Sequence, residues 1–243
     1  MTVKSIFHKE NTMDINIKQR AKDILKNDMI TILSGAGIIG FMNILAESIS
    51  TDQIGMIIAG FITALASACA ACFYFRAFHR GAGDVFDTYA LLTDKNVFSK
   101  VTTIMMAMWI VNIVAELLMK AVLIVPIIGK AIVLLMMVVV RYVILPYLLS
   151  IVWYLFVANP QYPTAYYLKA SAKYLRGYFM IYIGFTVSVN FLPYLIQVLL
   201  SMFIGSTFAS ILCMPLRAYV NLAMAGFFSS LIPNRWFAGV EKF

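Results

Sequence analysis

Residues 178–203 read YFMIYIGFTVSVNFLPYLIQVLLSMF, without one Asp, Glu, Lys or Arg. About 20 apolar residues carry an α-helix across ~30 Å of hydrocarbon, so this run predicts a membrane span. Similar runs occur along the chain, and together they place spans at 29–47, 54–78, 101–125, 131–158, 178–203 and 207–232. Hydrophobic residues fill 62% of the 243 positions and charged residues 12%, with a mean hydropathy of +0.88. So little polar surface could not keep a soluble fold dispersed. In lipid the solvent is itself apolar, and a helix satisfies its own backbone there. The reading is an all-α polytopic membrane protein with about six transmembrane helices. It divides into a segment 1–28, a transmembrane domain 29–232 and a tail 233–243, with no gap long enough for a separate soluble domain.

The Lys/Arg distribution tests that count. Lys4, Lys9, Lys18, Arg20, Lys22 and Lys26 precede the first span. Arg76, Arg80, Lys95 and Lys100 border the connection between spans two and three, Lys169, Lys173 and Arg176 fall between spans four and five, and Arg235 and Lys242 lie in the tail. The opposite connections hold Lys120 and Lys130, while the tips 48–53 and 204–206 hold neither Lys nor Arg. Basic residues collect on the cytoplasmic side, so both termini are expected there, in a cell membrane. The same rule accounts for the net charge of +8 without a nucleic-acid partner. The polar start through Asp28 has no early apolar core, and no removable signal peptide is expected.

Amphipathic stretches precede the hairpins. Ile17, Ala21, Ile24 and Leu25 share one helical face beside Lys18, Lys22 and Lys26. Leu168, Ala172 and Leu175 form a second stripe beside Lys169, Lys173 and Arg176, and Phe86, Tyr89 and Ala90 begin a less regular third. Such segments predict cytoplasmic surface helices, apolar face in the acyl boundary and lysines among anionic headgroups of the bilayer. Asn27 and Gly177 are read as turns between the first two of these helices and the spans that follow. The chain thus reads as helix plus hairpin three times over, at intervals of about 75 residues.

Several short motifs follow this frame: Ile17-Lys18-Gln19-Arg20-Ala21-Lys22-Asp23-Ile24-Leu25-Lys26-Asn27, Arg80-Gly81, Ala158-Asn159-Pro160, and Ser171-Ala172-Lys173-Tyr174-Leu175-Arg176-Gly177. In them the chain resembles an uncharacterised bacterial integral-membrane family, domain-of-unknown-function family 975. It departs from that pattern at Asp28-Met29, where an aromatic is expected, and at Pro126 and Gly129, which are adjacent in the family. The resemblance implies a bacterial cell-membrane protein with several spans, and implies no activity.

Polar groups inside the spans are costly and normally face the protein interior. Counted from the expected span ends at ~1.5 Å per residue, Glu116, Arg141 and Arg217 lie roughly 15 Å below the outer face, and Asn190 and Asn221 roughly 20 Å. A buried polar cluster is therefore expected. In one reading Glu116 pairs with Arg141 or Arg217 and the asparagines bond between helices. In another, the surplus guanidinium takes a small anionic or amphiphilic ligand or a lipid headgroup, and in a third Arg141 snorkels outward from a long, poorly bounded span four. Pro146, Pro193 and Pro215 each remove a helical hydrogen bond nearby.

Span two carries Gly60, Ala64, Ala68 and Cys72 at helical spacing, with Ala59, Thr63, Ser67 and Ala71 alongside, a face suited to close packing within the chain or in a homo-oligomer. Cys69 and Cys72 read as part of that packing rather than as a redox or metal pair, and Cys213 is likewise within an apolar run. His79-Arg80-Gly81-Ala82-Gly83-Asp84 reads as a flexible turn, with His79 and Asp84 as a conceivable acid/base pair. The sequence has no HExxH, no GxSxG and no cluster of metal-ligand spacing, so no enzyme, metal or cofactor is expected. The leading functional expectation is a non-enzymatic transporter-like or lipid- and amphiphile-binding unit. The alternative is a scaffold, accessory or immunity subunit acting through a membrane-protein partner.

Overall fold

A computed structural model of the chain describes residues 3–49, 53–122 and 145–232. The elements in order are α1 (Val3–Asn27), α2 (Met29–Ile49), α3 (Gln53–Arg80), a 3-10 turn (Val85–Thr88), α4 (Ala90–Thr93), α5 (Lys95–Val122), α6 (Leu145–Ala158), α7 (Thr164–Ile204), α8 (Ser206–Leu212) and α9 (Met214–Leu231). No strand occurs among the described residues, as expected where each segment must bond its own N–H and C=O groups. Three helical stretches among them are long and apolar enough to cross a membrane: Met29–Ile49, Ile58–Arg80 and Tyr178–Ile204. Residues 123–125 of the third expected span, 131–144 of the fourth with Arg141, and the tail 233–243 lie outside the described residues.

The bundle is organised around α3, which packs against α2, α5, α6 and α9. Ala66, Ala68, Cys69, Ala71 and Cys72 are buried and let neighbouring backbones approach. One turn on, the side chains become aromatic. Phe73, Tyr74, Phe75 and Phe78 meet Trp153, Tyr154 and Phe156 of α6, Tyr182 and Phe185 of α7, and Phe227 and Phe228 of α9. Tyr154 stacks on Phe228 at 4.6 Å and Phe185 on Phe227 at 4.8 Å. Two glycines make room for this layer: a methyl on Gly35 of α2 would run into the Phe73 ring, and one on Gly226 of α9 into Phe78 and Ile17.

Several expected boundaries are corrected. The turn at Gly177 is absent, because α7 runs unbroken from Thr164 to Ile204, about 60 Å at ~1.5 Å per residue. A lone glycine costs a helix only ~1 kcal/mol, too little to stop one flanked by good helix formers. The buried face of its first turns is Tyr167 and Ser171, whereas Ala172 is exposed. Tyr167 sets that rotation: its ring packs on Phe156, and its hydroxyl donates to the Asn159 carbonyl at 2.7 Å. The sixth expected span is interrupted at Cys213, where α8 ends and α9 begins. Pro215 occupies the first turn of α9, a place that needs no N–H donor.

The third expected surface helix is only the 3-10 turn and the single turn α4. Asp84 and Asp94 accept from backbone N–H groups two residues on, and such local bonds compete with a continuous helix. Finally, the apolar face of α1 does not lie open to lipid. Ile17, Ala21 and Ile24 are buried against the bundle, and α1 packs chiefly along α9. Periodicity marks an apolar face but does not say which apolar partner covers it.

Candidate functional site

The residues expected to gather at mid-membrane occupy different settings. Asn190 donates to the Thr186 carbonyl of its own helix at 3.0 Å. Asn221, half-buried on α9, shares a hydrogen bond with Tyr74 of α3 and so ties two helices together. Arg217 is exposed beside the break at Cys213. Its Nε donates to Gln197 Oε1 at 3.3 Å and its Nη2 to Ser210 Oγ at 3.4 Å. These three side chains do not bond one another among the described contacts. Glu116 lies on α5 with its side chain outside the described residues, as Arg141 is altogether.

The basic stripes are mostly exposed: Lys22, Lys26, Lys169 and Lys173 are exposed, and the Arg176 side chain is outside the description. Lys18 differs. Its ammonium donates to Ser188 Oγ at 2.9 Å and lies 5.6 Å from the Phe185 ring centre, which fastens α1 to α7. Along the small-residue face of α3, Ala68 and Cys72 are buried in the protein, while Gly60, Thr63 and Ser67 remain exposed.

The most organised polar site is one that sequence reasoning passed over. Arg76 is 1% exposed and Asp87 3%. Arg76 Nη1 meets Asp87 Oδ1 at 2.6 Å, and Arg80 Nη1 meets Asp87 Oδ2 at 2.8 Å. Around this triad the connection after α3 is held on several sides. Gly81, at φ +80°, ends α3 with its N–H on the Ala77 carbonyl, a conformation that favours glycine. Gly83 N–H donates to Asp28 Oδ2 at 2.6 Å. Arg20 donates to the His79 carbonyl at 3.1 Å and covers Phe78. His79 Nε2 and Ser229 Oγ are 2.9 Å apart, and Lys100 Nζ donates to the Pro160 carbonyl at 2.7 Å.

The segment read as a flexible turn is therefore a lock. His79 pairs with Ser229 and Asp84 caps the Phe86 N–H, so they form no acid/base pair. A usable signal was present: Arg76 follows Phe73-Tyr74-Phe75 inside an apolar run, and a buried guanidinium requires a nearby carboxylate.

Comparison of the chain with protein-family models, curated proteins and solved structures finds no match. The chemistry must be read from the residues themselves. At the locked end Asp87 bridges Arg76 and Arg80 and fixes the loop. Asp14 on α1 stands apart: its Oδ1 is buried without a hydrogen-bond partner, and burial pushes its carboxyl above the usual range while Lys18 pulls it partly back. Among the described residues Arg217, unlike the buried Arg76, is a guanidinium within an apolar run that is exposed and bonded to neutral partners.

Proposed function

We propose that the chain is a six-span membrane protein with both termini cytoplasmic, belonging with the integral-membrane family its motifs resemble. In this reading it holds an amphiphilic or anionic molecule and does not transform it. One observation supports binding above all: Arg217 stands exposed near the α8–α9 break, where the apolar Ile211 and Leu212 are exposed as well, with no carboxylate bonded to it among the described residues. A cation in that setting favours an anionic companion. Reporter fusions after residues 50, 90, 128, 165 and 243 should read out, in, out, in, in. A C-terminus on the outside overturns the topology.

A second reading, a scaffold or accessory subunit, is favoured by the exposed Gly60, Thr63 and Ser67 face of α3, which suits close approach of another helix. Purification in mild detergent separates the two. Bound lipid without a stoichiometric protein partner supports the first, and a stoichiometric partner supports the second.

A further inference from the structure

We propose that Arg217, Gln197 and Ser210 form a binding site for the phosphate of an anionic phospholipid, in the leaflet at the α7–α8 tip. The inference rests on the amphiphile-binding reading and names the ligand and the site. Its first support is depth. From Tyr178, where the span-length stretch of α7 starts, Gln197 is 19 residues along the helix, about 28 Å at ~1.5 Å per residue. The same stretch continues to Ile204, so the guanidinium bonded to Gln197 lies about 10 Å short of its far end at ~1.5 Å per residue, within reach of a lipid phosphate drawn toward a snorkelling arginine. Seven residues farther, α7 ends at Ile204. Gly205, at φ +82°, reverses the chain, and α8 returns along α7. That return brings Ser210 and Arg217 back beside Gln197.

The second support is charge. Arg217 bonds an amide oxygen and a hydroxyl at 3.3 and 3.4 Å, both neutral and both long. Neither balances the cation, and a guanidinium carries five N–H donors, so donors remain for an outside acceptor. A phosphate takes two of them in parallel. The third support is the surroundings. Tyr194 and Val198, near Gln197 in α7, and Ile211 and Leu212, which follow Ser210 in α8, are all exposed, apolar surface on which acyl chains can lie while the phosphate meets the arginine. A free inorganic anion would gain nothing from that surface.

The test is native mass spectrometry of the full chain in mild detergent, titrated with phosphatidylglycerol, with phosphatidylcholine as control. The wild type should bind phosphatidylglycerol selectively, and Arg217→Gln should bind it about tenfold more weakly, a loss of ~1.4 kcal/mol. Arg217→Lys should fall between them, because it keeps the charge without the planar fork. If Arg217→Gln fails to fold, the pair Gln197→Leu with Ser210→Ala removes the two bonds that aim the guanidinium and should weaken binding severalfold. Equal binding by wild type and Arg217→Gln overturns this site while leaving amphiphile binding standing. No selective binding by the wild type overturns both. Equal thermal stabilisation by inorganic phosphate and by phosphatidylglycerol overturns the lipid assignment.

Discussion

The two ends of the bundle handle charge in opposite ways. Around the end of α3, Asp28 and Asp87 each accept a short hydrogen bond or ion pair from another segment, and the connection is fixed by them. At the α7–α8 tip, Arg217 reaches only neutral partners at long distances and faces outward. The first arrangement is closed and serves the fold. The second is open, and leaves free energy available for something outside the chain. The same residue type, arginine, is structural where a carboxylate meets it and receptive where none does.

The largest effect should come from breaking the closed end. Asp87→Asn leaves Arg76 buried without its counter-charge, and removal of one member of a buried pair costs about 3–5 kcal/mol in soluble proteins. Unfolding in detergent should show a loss of that order, with somewhat less possible in lipid. Replacing both partners, Arg76→Met with Asp87→Leu, should recover much of it. Arg217→Gln should stay within about 0.5 kcal/mol of the wild type, as exposed substitutions do. If Asp87→Asn is as mild as Arg217→Gln, the contrast between the ends is wrong.

Packing offers the next test. Gly226→Val forces bulk into Phe78 and Ile17, and Gly35→Ala meets the Phe73 ring. Overpacking of this kind typically costs about 1–3 kcal/mol. Gly40→Ala and Gly60→Ala meet nothing within 4 Å and lie within helices, so they should be neutral or stabilise by up to ~1 kcal/mol. Thermal midpoints of the four variants measure the difference directly. A shared loss at all four positions would show that the aromatic layer is not what distinguishes them.

Much of the helical frame was legible because span-length apolar runs and basic clusters are signals carried by many residues at once. α2 and α3 begin and end within about two residues of the expected spans. Where the reading failed, the decisive contact lay far away in sequence. Gly177 looked like a stop because glycine breaks helices locally, yet the turns on both sides of it continue one helix. Arg76 looked like one more basic residue at a span end, since the Asp87 that neutralises it comes from beyond a glycine turn. Lys18 looked like a headgroup contact, whereas Ser188, 170 residues on, accepts a hydrogen bond from its ammonium. For Asn221 and Asn190 the sequence marked polar groups within apolar runs, but not that one would bond across to Tyr74 and the other into its own helix.

A smaller effect is expected where α1 meets the lock. Asp28→Ala removes the acceptor for the Gly83 N–H, comparable with losing a helix cap at ~1 kcal/mol. Asp28→Asn keeps a side-chain oxygen there and should retain more than half of that stability. Hydrogen exchange at Gly83 should accelerate in the alanine variant and change less in the asparagine one. Unchanged exchange in both would mean that the loop is held by the Arg76–Asp87 pair without help from Asp28.

The smallest expected effect separates Asp14 from its satisfied neighbours and depends on pH. Asp28 and Asp87 are held by donors, but one oxygen of Asp14 is buried without any. Desolvation disfavours the charged form, so the folded-state pKa lies above that of an ordinary aspartate, with Lys18 opposing the shift. Between those two pKa values the folded chain binds more protons than the unfolded chain. Stability contributed by Asp14 is therefore present at acid pH and declines as pH rises through the folded pKa. Asp14→Asn cannot ionise and escapes that decline. It should unfold at a slightly higher temperature than the wild type at pH 7, and the difference should close as the pH approaches 4. A difference that persists unchanged at pH 4 would trace the effect to the amide's packing. A wild type more stable than Asp14→Asn at pH 7 would mean that Lys18 outweighs burial at this site, making Asp14 one more locked carboxylate like Asp87.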